Sequence, residues 1–491
     1  MINKSQQIYN LFIYMIPTGL AYLLPFLTIP IFTRILSPED YGILSLVMIY
    51  AVFMCGLANF GMSLAFERNY FQYKNNPEKL AQLFYSSIVF VMINFAVLAG
   101  LTYLIKGKVS VFLTDTTQYD ILILTAFAAT FFFTTANNFY FTYFKNEERA
   151  TTHTKYTILS SVLYFTLSLF FVVYLKIGIM GIVIAQLITG VSLFMILLYS
   201  FLKRMPFLFN INIMLESIKI SYPLTPRIFI GVINNHFDKY MISLLVSLGG
   251  VGVYDIGKKI SYQAFTFMTI LQNVFNPQVY QRMFSKNTQD SKSIGGYITT
   301  FLYASIFVTL CIALFSEELI IILTPPPYHG AIPIVTILSM YFGFLFFGKI
   351  VGTQMIYSKK AHITSLITFF NVGLNIALNI PMIMKFGVIG AAWATMLAGL
   401  MTGTIGLLVA QHYYKIIYEW NKIVWIMSTL FIGSTVIVSM NLLNAPYVWS
   451  VPVKIAAMII YINLGIRYRI LSKENYSAVK DTIFLRKFSP T

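Results

Sequence analysis

Apolar runs of about 20 residues recur from one end of the chain to the other, each long enough to cross the hydrocarbon core of a bilayer as a helix. Inside hydrocarbon every backbone N–H and C=O must be satisfied by the chain itself, which leaves helices and closed barrels as the only spanning structures. Runs this long and this uniformly apolar are helical. Of 491 residues, 58% are hydrophobic and 10% charged, whereas soluble domains carry about 25% charged residues. The expectation is an all-α polytopic membrane protein with no sizeable soluble domain. Spans are placed near 11–33, 43–65, 81–105, 120–144, 155–175, 178–201, 220–247, 253–276, 296–315, 331–356, 362–384, 387–410, 423–443 and 448–466, fourteen transmembrane helices in all. The first run is too long, and too interrupted by Pro17, Pro25 and Pro30, for a cleaved signal peptide, and is read as a retained helix. Cys55 and Cys311 both fall in spans, so no disulfide framework is implied.

The formal charge of +17 is compatible with nucleic-acid binding, but its distribution favours a membrane. Most Lys and Arg cluster on one side of the expected spans. Arg34, Lys106, Lys108, Lys176 and Lys385 are those that fall in loops of the other side. By the positive-inside rule this bias places both termini in the cytoplasm. No nucleic acid is expected as partner.

One span does not read like a lipid-facing helix. Between Ser221 and Ile260, Arg227, His236, Asp238 and Lys239 stand inside an apolar frame. A charge in mid-span costs about 2.5–3.5 kcal/mol on insertion scales and normally faces a bundle interior or a water-filled cavity. At helical spacing Arg227, Gly231, Asn234 and Asp238 share one stripe. Pro223 and Pro226 open the span and can leave carbonyls free. The next span begins with Lys258 and Lys259 and continues through Gln263, Gln272, Asn273 and Asn276. Lys349 sits between Gly348 and Gly352, either in a structural pair or in contact with a ligand. Asn371, Asn375 and Asn379 form an i, i+4, i+8 stripe suited to helix–helix hydrogen bonds. Asp238 either meets a partner from another span or takes up a proton or sodium ion, since ion sites of secondary transporters lie near the midplane.

The chain repeats itself. Lys176, Gly178, Gly181, Ala185 and Gly190 recur as Lys385, Gly387, Gly390, Ala394 and Gly399, all at the same 209-residue offset, which also relates His153 to His362. Six spans per copy is an even number, so both copies insert the same way round and the repeats are parallel. The expected organisation is a six-helix lobe over 1–201, an interfacial elbow over 202–217, a second six-helix lobe over 218–410, two appended helices over 411–466 and a basic cytoplasmic tail over 467–491. At the turn between the first two spans, Ser37 can cap a helix that begins at Pro38, but the spacing alone favours a plain loop. Glu67 and Arg68, and the charges around Lys145 to Lys155, read as solvated anchors at helix ends. The catalytic signatures are missing: there is no Walker A loop, no CxxC or HExxH metal motif and no nucleophile elbow. Glu317 and Glu318 are the candidate catalytic acids of a membrane enzyme acting on lipids, but a solvated helix end is the favoured reading of them. The chain is expected not to be an enzyme and to use no cofactor.

The Arg34–Gly42 turn (RILSPEDYG), the twelve-plus-two span count, the paired KxGxxG repeats and the Gly250–Ile260 stretch (GVGVYDIGKKI) resemble the Wzx-type O-antigen and capsule flippases. These belong to the MATE-like multidrug/oligosaccharidyl-lipid/polysaccharide exporter superfamily. The resemblance implies a MATE-like fold of two parallel six-helix lobes around a cationic cavity open alternately to each side. It implies an undecaprenyl-diphosphate-linked oligosaccharide as substrate, and a polysaccharide polymerase with chain-length machinery as partners. Arg227, Asn234, Lys239, Lys258 and Lys349 are then the candidates for binding diphosphate and sugar, and Asp238 for ion coupling. The first span has no acid or base before Arg34. In this it departs from the proton-coupled drug exporters, which carry an Asp there, and from the lipid II flippase, which carries arginines. The rivals are a MATE-type exporter of cationic drugs, whose cavity should be acidic, and a membrane polymerase or ligase of lipid-linked glycans, which would need a long catalytic loop.

Overall fold

The structure is a computed structural model that describes residues 24, 26–284, 288–443 and 445–470. Among the described residues every regular element is helical. In chain order the helices are α1 (Pro38–Asn59), α2 (Met62–Tyr73), α3 (Pro77–Thr114), α4 (Asp120–Asn146), α5 (Ala150–Tyr174), α6 (Gly178–Leu202), α7 (Ile211–Ser221), α8 (Thr225–Leu245) and α9 (Leu248–Phe284). They continue as α10 (Ser293–Leu314), α11 (Ser316–Leu323), α12 (Ile332–Tyr357), α13 (Ala361–Phe386), α14 (Val388–Tyr413), α15 (Trp420–Leu442) and α16 (Tyr447–Arg467). Eleven of the described helices are long and apolar enough to cross a membrane, and they coincide with eleven of the expected spans. The polar spans expected at 220–247 and 253–276 are helical as α8 and α9 but are not in that apolar set. The span expected at 11–33 lies mostly outside the described residues, with 26–32 helical. The tail beyond 470 lies outside them entirely.

The chain divides into two compact units, 1–252 and 253–491. In the first, α1 opens at Pro38, inside the turn whose spacing favoured a loop. The Ser37 hydroxyl accepts from the Asp40 amide at 3.1 Å, the Asp40 carboxylate accepts from the Ser37 amide at 2.9 Å, and Pro38 occupies the first turn. The span expected to run to 65 instead stops at Asn59. Phe60 and Gly61 both take left-handed backbone, with φ 47° and 72°, and the chain restarts as α2. Side chains satisfy the polar groups this break releases. Asn94 donates to the Ala58 carbonyl at 3.1 Å, and Asn59 accepts from the Ser63 amide at 3.1 Å. A Cβ on Gly61 would lie 2.8 Å from the Ser221 carbonyl oxygen at the end of α7. Only a glycine combines that backbone with that approach.

The segment expected as an elbow leads into α7. Asn210 caps it by accepting from the Asn212 and Ile213 amides at 2.9 and 3.3 Å. Asn69 and Tyr73 of α2 hold it through Ser217 at 3.3 Å and Glu216 at 3.1 Å. The charges expected to be free anchors are linked across turns: Lys145 pairs with Glu67 at 3.2 Å, and Glu147 accepts from Tyr70 and meets Arg149 at 3.6 Å.

The sequence repeat reappears in the geometry of each unit. Gly178 and Gly387 begin α6 and α14 with φ +61° and +59°. Gly190 brings α6 so close to α4 that a Cβ would sit 2.9 Å from the Phe133 amide nitrogen. Gly399 brings α14 onto the Tyr341 ring of α12 at 2.3 Å by the same measure. Small residues permit such close packing where hydrocarbon supplies no hydrophobic drive between helices.

In the second unit the asparagine stripe of α13 does join helices. Asn371 accepts from Thr402 at 2.9 Å and Asn375 donates to Thr395 at 3.4 Å, both on α14. The appended α16 is bound to α10 by Tyr303 and Tyr461, stacked with centroids 4.6 Å apart and each hydroxyl donating to the other's carbonyl, at 3.2 and 2.7 Å. The sequence reading of Glu317 and Glu318 as a solvated helix end is corrected here. Both pair with Lys454 of α16, at 3.2 and 2.7 Å, and Lys454 is 1% exposed. A cation so far from water needs carboxylate partners, and two adjacent acids supply them.

Candidate functional site: cations on an aromatic face

On α9, Tyr254, Lys258, Tyr262 and Phe265 recur at spacings of four and three, so they lie along one side of the helix. Lys258 is half-exposed, with its Nζ 5.6 Å from the Tyr254 ring centroid. Lys349, exposed on α12, holds its Nζ 5.0 Å from the Phe265 centroid. Phe342 of α12 closes the cluster, 5.4 Å from Tyr262 and 6.0 Å from Phe265. Lys258 and Phe265 are two turns apart, about 10 Å along the axis. The face therefore presents two ammonium groups flanking a patch of aromatic rings. A ring face attracts a cation without carrying a countercharge of its own. The neighbouring Lys259 is ion-paired to Asp255 at 2.8 Å.

The first unit treats its candidates differently. Lys239 is 8% exposed and its Nζ donates to Ser45 Oγ of α1 at 2.8 Å. Asp238, beside it, is 1% exposed. Further along the same stripe Asn234 is half-exposed, and a Cβ on Gly231 would meet open space. Arg227 lies in the first turn of α8, and its side chain is outside the described part of the structure. At the start of α8 the Ser221 carbonyl accepts from the Thr225 hydroxyl at 3.1 Å. Lys258 and Lys349 are thus brought together in the second unit, while Lys239 is engaged inside the first. Sequence reading missed the aromatic lining. Its signal was present on α9 in the Tyr254–Lys258–Tyr262–Phe265 spacing, but the contribution of Phe342 depends on how α12 packs.

Residues 8–277 match the model of a family described as polysaccharide biosynthesis protein, over half of the chain. The chain belongs to the polysaccharide biosynthesis protein family. The match runs through α8 and includes Lys258 and Phe265 on α9. Among curated proteins, a probable low-salt glycan biosynthesis flippase, Agl15 of Haloferax volcanii, is 23% identical over 218 residues, 43% of this chain. That alignment spans about half, 46%, of the relative's own length. Among solved structures, the lipid II flippase MurJ in its inward closed conformation superposes with a TM-score of 0.68 at 17% identity, covering 93% of this chain and 99% of that one. An inward-facing multidrug resistance MATE family transporter of the MOP superfamily superposes with a TM-score of 0.63 at 14% identity, covering 82% and 97%. These likenesses give this family member the MATE-like fold.

Proposed function

We propose that the protein is a flippase that moves undecaprenyl-diphosphate-linked oligosaccharide units from the inner to the outer leaflet of the bacterial cytoplasmic membrane by alternating access. The units would serve surface polysaccharide synthesis, as O-antigen or capsule. The observation that carries this reading is the face formed by Lys258, Lys349, Tyr262 and Phe265. Transfer of a diphosphate through hydrocarbon requires charges that replace its water, and ammonium groups do so as mobile point donors. Aromatic rings beside them offer flat apolar surface to the hydrocarbon faces of sugars; Asn234, on α8 of the first unit, is a separate candidate for sugar hydroxyls. A cavity for cationic drugs would carry the opposite sign, so the basic face favours a lipid-linked anion over a drug. Family membership and fold support the same reading, and the role is transport rather than catalysis. The Lys and Arg bias supports cytoplasmic termini in this reading. A polymerase and chain-length machinery would take the product on the outer side.

In this scheme Lys239 with Ser45, and Arg227 at the start of α8, add positive charge to the pathway, and the buried Asp238 is the candidate for ion coupling. The test is flipping of an undecaprenyl-diphosphate oligosaccharide in proteoliposomes, read by its accessibility to an external glycosidase. Lys258→Gln with Lys349→Gln should lower the rate by about tenfold or more, the weight of a charge-assisted contact, in protein that still folds. A double variant that flips at the wild-type rate would sink the reading. Asp238→Asn should flip without dependence on pH or sodium if that residue couples the cycle.

A further inference from the structure

In the first unit, the seam of α8 with α1 and α3 does not close. It leaves a cavity of about 750 Å³. Its walls are Ile49 and Phe53 of α1, Phe112 of α3, and Val232, Ile233 and Phe237 of α8. Phe53 meets Phe229 at 5.0 Å and Phe112 meets Tyr240 at 5.8 Å, so aromatic contacts bridge the seam around the cavity. The polar groups that reach it are few. Tyr50 is engaged with Thr102 at 2.9 Å, and Tyr240 and His236 also line the cavity. Lys108 stands on the lining as well, near the C-terminal end of α3, and is exposed. Its neighbour Lys106 is neutralised by Asp120 at 2.9 Å, whereas Lys108 has no ion pair among the described residues. On the approach along α3, Leu101, Leu104 and Ile105 are exposed. The groove thus lies beside exposed apolar surface on α3.

An apolar slot beside such surface, with one uncompensated cation on its lining, has the polarity of an amphiphile with a long apolar chain and an anionic head. We propose that this groove is a binding site for an anionic glycerophospholipid, with an acyl chain between α1, α3 and α8 and the phosphodiester at Lys108. A single ammonium matches the single charge of a phosphodiester. A diphosphate carries more charge, and the groove offers no second cation to meet it. Each methylene taken from water or disordered solvent adds to retention, and the head-group contact selects the charge. The bound lipid fills the seam by which α8 is seated against α1, where Lys239 bonds Ser45. It therefore stabilises that seating. This inference is independent of what the protein transports.

The test uses the full chain, purified in neutral detergent, stripped of lipid and titrated with phosphatidylglycerol or phosphatidylcholine of identical chains under native mass spectrometry. Wild type should bind one phosphatidylglycerol with about tenfold preference and melt at a higher temperature with it. Lys108→Gln should bring phosphatidylglycerol down to the phosphatidylcholine level and leave phosphatidylcholine unchanged. Ile233→Trp, which fills the slot, should weaken both. Should Ile233→Trp fail to fold, Phe112→Trp at the exposed rim serves instead. Its added fluorescence should be quenched by brominated-chain phosphatidylglycerol, and the quenching should be lost when Lys108→Gln is combined with it. Equal binding of the two lipids by wild type, or a preference that survives Lys108→Gln, overturns the proposal. So does undecaprenyl phosphate or diphosphate displacing phosphatidylglycerol with higher affinity, which would assign the groove to the isoprenoid instead.

Discussion

Lys239 donates a 2.8 Å hydrogen bond to Ser45 across the packing of α8 on α1, with the lysine 8% exposed. Two residues almost two hundred positions apart thus secure a charge inside a unit whose other packing is mostly apolar. The bond is charge-assisted and shielded from water, the setting in which such bonds contribute most.

Ser45→Ala should therefore lower stability by about 1.5–3 kcal/mol, the range for a bond to a charged group. Ser45→Thr, which keeps the hydroxyl, should lose less. Thermal unfolding in detergent, followed by the fluorescence of a thiol dye on the buried Cys55, measures both. A Ser45→Ala protein that melts with wild type would show that the bond does not secure α8.

The Lys454 cluster yields a prediction in two parts. Removing the cation with Lys454→Met leaves Glu317 and Glu318 facing each other without it, at a cost of about 3–5 kcal/mol. Adding Glu317→Gln and Glu318→Gln should recover much of that loss. Burial pushes the Glu318 carboxyl up, but the bonds from Lys454, its own backbone amide and Tyr447 outweigh it and hold the group below the usual carboxylate range. A carboxyl depressed in the folded state contributes stability that is present above its ordinary pKa and lost as pH falls through the folded value. Wild-type melting temperature should fall on acidification below that range, and more steeply than in Glu318→Gln. Parallel pH profiles would contradict the coupling.

Gly61 is the third point of leverage. Gly61→Ala adds left-handed strain of about 1–2 kcal/mol to a clash with the Ser221 carbonyl 2.8 Å away. Asn tolerates left-handed backbone better but carries the same Cβ. Gly61→Asn should therefore be destabilised nearly as much, with faster amide exchange over α7 in both variants. An Asn variant as stable as wild type would mean that the approach of Ser221 does not constrain the site.

Much of this protein was legible from its sequence, because hydrocarbon is a simple solvent. A run of about 20 apolar residues has one stable fate in it, so eleven spans fell where hydropathy placed them. The repeat was legible because a left-handed turn and a close helix crossing both demand glycine, at 178 and 190 as at 387 and 399. The cap at Ser37 is local chemistry, yet the spacing favoured a loop there, because a capping serine and a loop serine read alike in sequence. What tertiary structure decided is what neighbours decide. The break at Phe60–Gly61 was hidden because Ala58 to Gly61 are unremarkable in composition, and the bend is maintained by Asn94 and the approach of Ser221. Glu317 and Glu318 looked solvated because their partner, Lys454, lies more than a hundred residues away on a helix outside the repeat. Lys349 and Lys258 could be named as charges in spans, but only packing placed them beside the same aromatic patch, and only packing turned Lys239 toward Ser45. Periodicity tells which side of a helix a residue occupies. Which helix faces that side is set by long-range contacts that no local spacing encodes.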